Sequence, residues 1–150
     1  MLNIRRAIIQ ESETLTNIAI QSEAYWGFDS DYMEQFKFTY KVTEEFIKNN
    51  PTFIIENDEK IIGFYSILIN EHEVSLEYLY IDPEFIGKGY GKRLWNHMIE
   101  KCKNLAIKEI EIVTSPEAKE FYIKMGAVQT GEIQSLVKKE RIIPQLTYKI

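Results

Sequence analysis

Leu79-Tyr80-Ile81-Asp82-Pro83-Glu84-Phe85-Ile86-Gly87-Lys88-Gly89-Tyr90-Gly91-Lys92-Arg93 is the stretch on which the reading of this chain turns. It begins at the end of a β-branched and aromatic run, residues 73–81, that reads as a strand. It ends in a helix running to about residue 103, with Leu94, Trp95, Met98, Ile99 and Cys102 on one apolar face. Between the two, the glycines at 87, 89 and 91 let backbone N–H groups crowd around an anion, and the helix N-terminus adds the positive end of its dipole. Lys88, Lys92 and Arg93 bring full charges to the same place. The loop is built for phosphate. Two better-known phosphate loops do not fit it: the dinucleotide pattern needs a glycine where Lys92 stands, and a Walker A loop needs Ser or Thr where Arg93 stands.

Outward from the loop, residues 2–7 read as an opening strand. Ser12 is placed to cap a helix to about Trp26, with Gly27 as its stop, and further helices follow Asp31 and Thr43, the last ending before Pro51. Residues 52–56 and 61–69 then form a hairpin around Asn57-Asp58-Glu59-Lys60, and 73–81 pairs back on it across Asn70-Glu71-His72. Beyond the long helix come a strand at 108–113, a short helix at 116–125 closed by Gly126, and strands near 127–133 and 146–150. This order predicts a mixed α/β sheet rather than a doubly wound parallel one.

Composition narrows the function. The chain has 150 residues, 45% of them hydrophobic, with 18 basic and 23 acidic side chains. That length suits one domain over residues 1–150 with a real core. A single cysteine excludes a disulfide framework, and two histidines argue against a metal site. There is no apolar run of membrane-spanning length and no leader, so the expectation is a cytoplasmic protein without a membrane partner. The net charge of −5 argues against nucleic acid. Its distribution is uneven, however. Residues 86–150 carry 12 basic and 7 acidic groups, whereas residues 1–85 carry 6 and 16. Positive charge is thus concentrated from the glycine loop onward, and an acidic half is left to attract a cation.

Two segments resemble the GNAT N-acetyltransferase superfamily. The glycine loop is similar to that family's Gln/Arg-x-x-Gly-x-Gly/Ala pyrophosphate site, with Ile86 standing where Gln or Arg is usual. Ser115-Pro116-Glu117-Ala118 followed by Phe121-Tyr122-Ile123-Lys124-Met125-Gly126-Ala127 is similar to its Asn-x-x-Ala…Tyr-x-x-x-Gly stretch, with Ser115 in place of Asn. Other runs look like a poorly characterised bacterial branch. The resemblance implies a mostly antiparallel central sheet of six to seven strands flanked by helices, with a splayed strand pair forming an acyl-CoA slot. It implies acetyl-CoA as the acyl donor, held by Leu79, Tyr80 and Ile81, by the loop residues Ile86, Gly87, Lys88, Gly89, Tyr90, Gly91 and Lys92, and by Ser115, Ala118, Phe121 and Tyr122.

Acetyl transfer to an amine needs a deprotonated nucleophile, stabilisation of the carbonyl oxygen and a proton for the leaving thiolate. By the resemblance Tyr122 is the general acid, although the helical set Ala118, Phe121, Tyr122 and Met125 also reads as core. Glu77 is the candidate base, because alternation puts it on one strand face with Ser75 and Leu79 beside a buried slot. Tyr25, Trp26 and Phe28, at the end of the first helix, are candidates for the acceptor wall. Cys102 and Trp95 read as core, and His72 and His97 as solvated. The expected activity is transfer of an acetyl group to a small-molecule primary amine by direct attack in a ternary complex. The alternatives are a protein or peptide acceptor, or a non-catalytic acyl-CoA-binding module. A homodimer paired through an exposed final strand is also compatible with the sequence.

Overall fold

The computed structural model describes residues 1–150. Strand β1 (Leu2–Arg6) leads through a 3-10 turn into helix α1 (Ser12–Ala24). Ser12 is the first helical residue rather than the cap, because the 3-10 turn Ile9–Glu11, closed by the Ile8 N–H donating to the Glu11 carboxylate at 2.9 Å, runs directly into the helix. Helix α2 (Ser30–Thr39) starts slightly earlier than the sequence suggests, since Asp29 and not Asp31 accepts from the Tyr32 N–H at 2.8 Å. Thr43 caps helix α3 (Glu44–Asn49) as expected, accepting from the Phe46 N–H.

Strands β2 (Thr52–Asn57), β3 (Lys60–Ile69) and β4 (Val74–Ile81) form an antiparallel meander. Asp58 and Glu59 both have positive φ in the β2–β3 turn, the conformation a two-residue hairpin needs. Helix α4 (Tyr90–Asn104) carries the chain to β5 (Glu109–Val113), which lies parallel to β4. Helix α5 (Lys119–Lys124) is shorter than the 116–125 expected, because Ser115 to Ala118 close a separate turn through Ala118 N–H to Ser115 O. Strands β6 (Val128–Gln134) and β7 (Ile142–Lys149) complete a seven-stranded sheet of order β1-β2-β3-β4-β5-β7-β6.

The last strand differs from expectation in two respects. It starts at Ile142, with Pro144 inside it opposite Glu132. It is also interior, paired with β5 on one side and β6 on the other, so it offers no free edge to a second subunit; the edges are β1 and β6.

The sheet has a core on each face. On one side Leu94, Trp95, Met98, Ile99 and Cys102 of α4 pack with Tyr122 of α5 against Ile55, Tyr65, Ile67 and Ile112. On the other, α1, α2 and α3 bury Leu15, Ile18, Phe36 and Ile47 against Ile54, Phe64 and Tyr78. No helix is long and apolar enough to cross a membrane.

Candidate active site

The site begins with an irregularity in β4. Against β3, Tyr78 pairs with Ser66 and Leu76 pairs with Ile67, so Glu77 is an extra residue between them. A bulge of this kind breaks strict alternation. Leu76, Leu79 and Ile81 therefore all pack on the α4 face, while Tyr78 and Tyr80 pack on the α1–α3 face. The shared face expected for Ser75, Glu77 and Leu79 does not survive the bulge. Glu77 instead lies within electrostatic reach of Tyr40 and Tyr78.

On its other side β4 pairs with β5 only at Ser75 with Glu111 and Leu76 with Ile112, after which the strands part. The Asp82 N–H donates to Ile62 O across β3 at 2.8 Å. By the two-residue alternation of an antiparallel ladder, Tyr80 also faces β3, and the backbone groups of Leu79 and Ile81 turn toward the opening. A cavity of about 770 Å³ occupies this parting, lined by Glu77, Leu79, Tyr80 and Ile81 from β4 and by Val113, Thr114 and Ser115 opposite.

The glycine loop forms one end of the cavity. Gly87 (φ +84°) and Gly89 (φ +86°) hold left-handed conformations in which a side chain would be strained, and Gly89 caps α4. The N–H groups of Gly87 through Lys92 donate to no protein acceptor. Ile86, Gly87, Gly89, Tyr90, Gly91 and Lys92 all line the cavity. Lys88 does not; its ammonium lies 5.7 Å from the centre of the Phe85 ring. Gly91 admits α5 closely, since a Cβ there would meet the Phe121 ring at 3.2 Å.

From α5 and the turn before it, Ala118, Phe121 and Tyr122 join the lining. Tyr122 is 7% exposed and packs against Trp95 and Phe121. Burial pushes its phenol well above the ordinary tyrosine range, so it holds its proton at neutral pH. Burial also raises the Glu77 carboxyl above its usual value. Tyr80 lies between these groups and the helices of the other face: burial raises its hydroxyl, which also feels Glu23 and Tyr122.

The far end contains groups that the sequence reading did not single out. Glu23, 7% exposed, accepts a hydrogen bond from the Tyr32 hydroxyl at 2.7 Å. Arg141 donates to the same Tyr32 oxygen at 3.1 Å and to both Glu117 oxygens at 3.1 and 2.7 Å. All four line the cavity, as do Phe36 and Tyr40. Of the aromatic trio at the end of α1, only Trp26 lines it. Tyr25 is exposed and packs edge-on to Trp26, while Phe28 stacks on Tyr32 and carries the Arg141 guanidinium 4.6 Å from its ring centre. The helical spacing of Leu15, Ile18, Ala19 and Ser22 puts position 23 in the buried arc of α1, and a carboxylate there was the available signal.

Of the remaining side chains, Cys102 is fully buried in the core and its thiol is pushed up to about 11 by burial. His97 is half-buried rather than solvated: its Nδ1 meets the Tyr65 hydroxyl at 2.8 Å, and burial lowers its pKa.

Comparison with known proteins bears on the family and the fold. Residues 16–127 match the model of the acetyltransferase (GNAT) family. The chain is 31% identical over 142 residues to the peptidyl-lysine N-acetyltransferase YjaB of Salmonella typhimurium, covering 92% of each chain. It is 25% identical over 134 residues to the 5-NmdU N-acetyltransferase of Pseudomonas phage PaMx11, covering 88% of this chain and 91% of that one. Among solved structures, the PaiA N-acetyltransferase of Thermoplasma acidophilum in complex with coenzyme A superposes with a TM-score of 0.84 at 22% identity, over 100% of this chain and 99% of that one.

Proposed function

The chain belongs to the acetyltransferase (GNAT) family, and from that premise we propose that it moves an acetyl group from acetyl-CoA to the primary amine of a small acceptor by direct attack. One observation carries the reading. The opening between β4 and β5 leads from a loop of unpaired N–H donors to a cavity that also contains Tyr122 and Glu77.

The residues fit the donor. The free N–H groups from Gly87 to Lys92, the dipole of the fifteen-residue α4 and the Lys92 ammonium suit a pyrophosphate. Leu79 and Ile81 offer extended backbone to a slender amide-bearing chain, and Ser115, Ala118 and Phe121 form the opposite wall. Acetyl-CoA supplies an activated thioester. The protein's part is to orient it, exclude water and handle protons. A backbone N–H of the bulged β4 is suited to polarise the acyl oxygen. Glu77, its carboxyl raised above the usual value by burial, takes the proton that makes the amine nucleophilic. Tyr122, held protonated by burial, donates to the departing sulfur.

The acceptor end supports a cation. Glu23, Glu73, Glu77, Glu111 and Glu117 line the cavity against Lys92 at the loop and an Arg141 already bound to Glu117. A second reading is a lysine side chain of a peptide, favoured by the name of the 31% identical Salmonella relative. Thiol release from acetyl-CoA, measured across amines, amino acids, aminoglycosides and lysine peptides, tests both. Turnover confined to lysine peptides selects the second, and no release with any amine overturns the proposal.

A further inference from the structure

Glu23 is more than nine-tenths buried, yet only one of its oxygens has a protein partner, the Tyr32 hydroxyl at 2.7 Å. No fully buried side-chain oxygen or nitrogen in the molecule lacks a partner, so the second Glu23 oxygen is open to the cavity that this residue lines. The cation within electrostatic reach of it is engaged elsewhere. Arg141 spends one nitrogen on the Tyr32 oxygen and another on both oxygens of Glu117, and makes no ion pair with Glu23. The geometry also fixes the carboxylate in place. Tyr32 is stacked on Phe28, and Phe28 is covered by the Arg141 guanidinium, so the group that holds Glu23 is itself clamped from two elements distant in the chain. Trp26, Phe36 and Tyr40 contribute aromatic wall to the same end of the cavity.

A positioned carboxylate with one oxygen open to the cavity is a ready acceptor for a donor on a bound molecule, and an aromatic surround favours a charged one. Glu77 is already assigned to the reacting amine, so Glu23 is a second, separate anionic point. We propose that Glu23 is a specificity-determining residue which binds a second positively charged group of the acceptor, making small dicationic amines the preferred substrates. This rests on the acetyltransferase reading above and assigns the acceptor class that reading leaves open.

A matched pair tests it without any variant: 1-aminopentane and 1,5-diaminopentane, together with the 1,3- and 1,4-diamines, assayed by thiol release and by calorimetric binding to the protein saturated with coenzyme A. A charge-assisted hydrogen bond to Glu23 predicts that the best diamine has a KM and Kd about tenfold or more below those of its monoamine partner. In Glu23→Gln, confirmed folded by its melting temperature, the ratio should fall to about one, and in Tyr32→Phe, which keeps the charge but frees it to move, it should fall part of the way. Equal KM and Kd for the pair in the wild-type protein, or a ratio unchanged in Glu23→Gln, overturns the inference while leaving acetyl transfer standing. If no amine is turned over, the acetyltransferase reading falls, and the binding ratio alone decides the role of Glu23.

Discussion

Gly63 lies so close beneath Tyr80 that a Cβ on it would stand 2.5 Å from the Tyr80 carbonyl oxygen and 2.6 Å from Ile81 Cδ1. The first of these neighbours is backbone and cannot step aside. Gly63 pairs with Ile81 at the far end of the β3–β4 ladder, opposite the stretch that faces the opening. Gly63→Ala is therefore expected to destabilise the fold by about 2 kcal/mol through overpacking. It should also weaken coenzyme A binding, because β4 must shift along the cavity wall. Denaturant unfolding and a binding titration check both, and an unchanged midpoint would show that the two strands are not in close contact.

Tyr122→Phe keeps the ring packed against Trp95 and Phe121 and removes only the hydroxyl. The expected result is a fall in kcat of about a hundredfold with the KM for acetyl-CoA little changed. Steady-state kinetics at saturating acceptor measure it. Unchanged kcat would remove Tyr122 from the reaction.

Glu77 must be ionised to accept a proton, and burial raises its pKa, so kcat/KM should decline as pH falls through a value above the ordinary carboxylate range. Glu77→Gln should abolish this acidic limb and lower the plateau. A limb that persists in the variant would assign it to another group.

Glu23 gives a stability prediction independent of turnover. Burial raises its pKa, outweighing the Tyr32 hydrogen bond and Arg141, so the folded protein holds this proton more tightly than the unfolded chain. Its contribution to stability is complete below the ordinary carboxylate pKa and is lost as pH rises through the raised folded value. The melting temperature of Glu23→Gln relative to wild type should therefore climb as pH rises from below the ordinary carboxylate range through the raised folded value. A difference independent of pH would mean that the carboxylate is not buried in the charged form.

Gly89→Ala isolates the loop. No atom lies within 4 Å of the added Cβ, so any cost comes from the left-handed backbone at φ +86°, about 1 kcal/mol. Relaxation of that strain would turn N–H groups away from the anion site. Coenzyme A should bind several-fold more weakly, and fragments of it lacking individual phosphates should show which part of the ligand the loop holds.

Much of this was legible in local sequence. The helix and strand periods, the turn at Asp58 and Glu59, and the glycine loop are written in residues close together, where backbone sterics and apolar spacing decide the outcome. The bulge was not. Glu77 sits in a run whose alternation looks unbroken, and only the pairing of Tyr78 with Ser66 and Leu76 with Ile67 reveals the extra residue. The Glu23–Tyr32–Arg141 chain was missed for a different reason: Tyr32 and Arg141 are 109 residues apart, and no local pattern announces a contact of that range. His97 was read as solvated from its helix face alone, but the bulk of Phe53 and Tyr65 on neighbouring strands closes over it.

The parting of β4 from β5 has a consequence for the protein's behaviour in a crowded cell. An ordinary sheet edge invites stray strands to add to it, and proteins blunt such edges with charge, proline or short length. Here the unpaired main chain of Leu79 and Ile81 lies in the middle of the sheet, with β5 and the Ser115–Ala118 turn across the gap and helices on both faces. It is an edge without an outside. A strand adding from solvent finds no free side along it, whereas a thin linear molecule entering through the cavity can use the same hydrogen-bonding groups. Unpaired main chain and protection from self-association along that line thus coexist in one sheet.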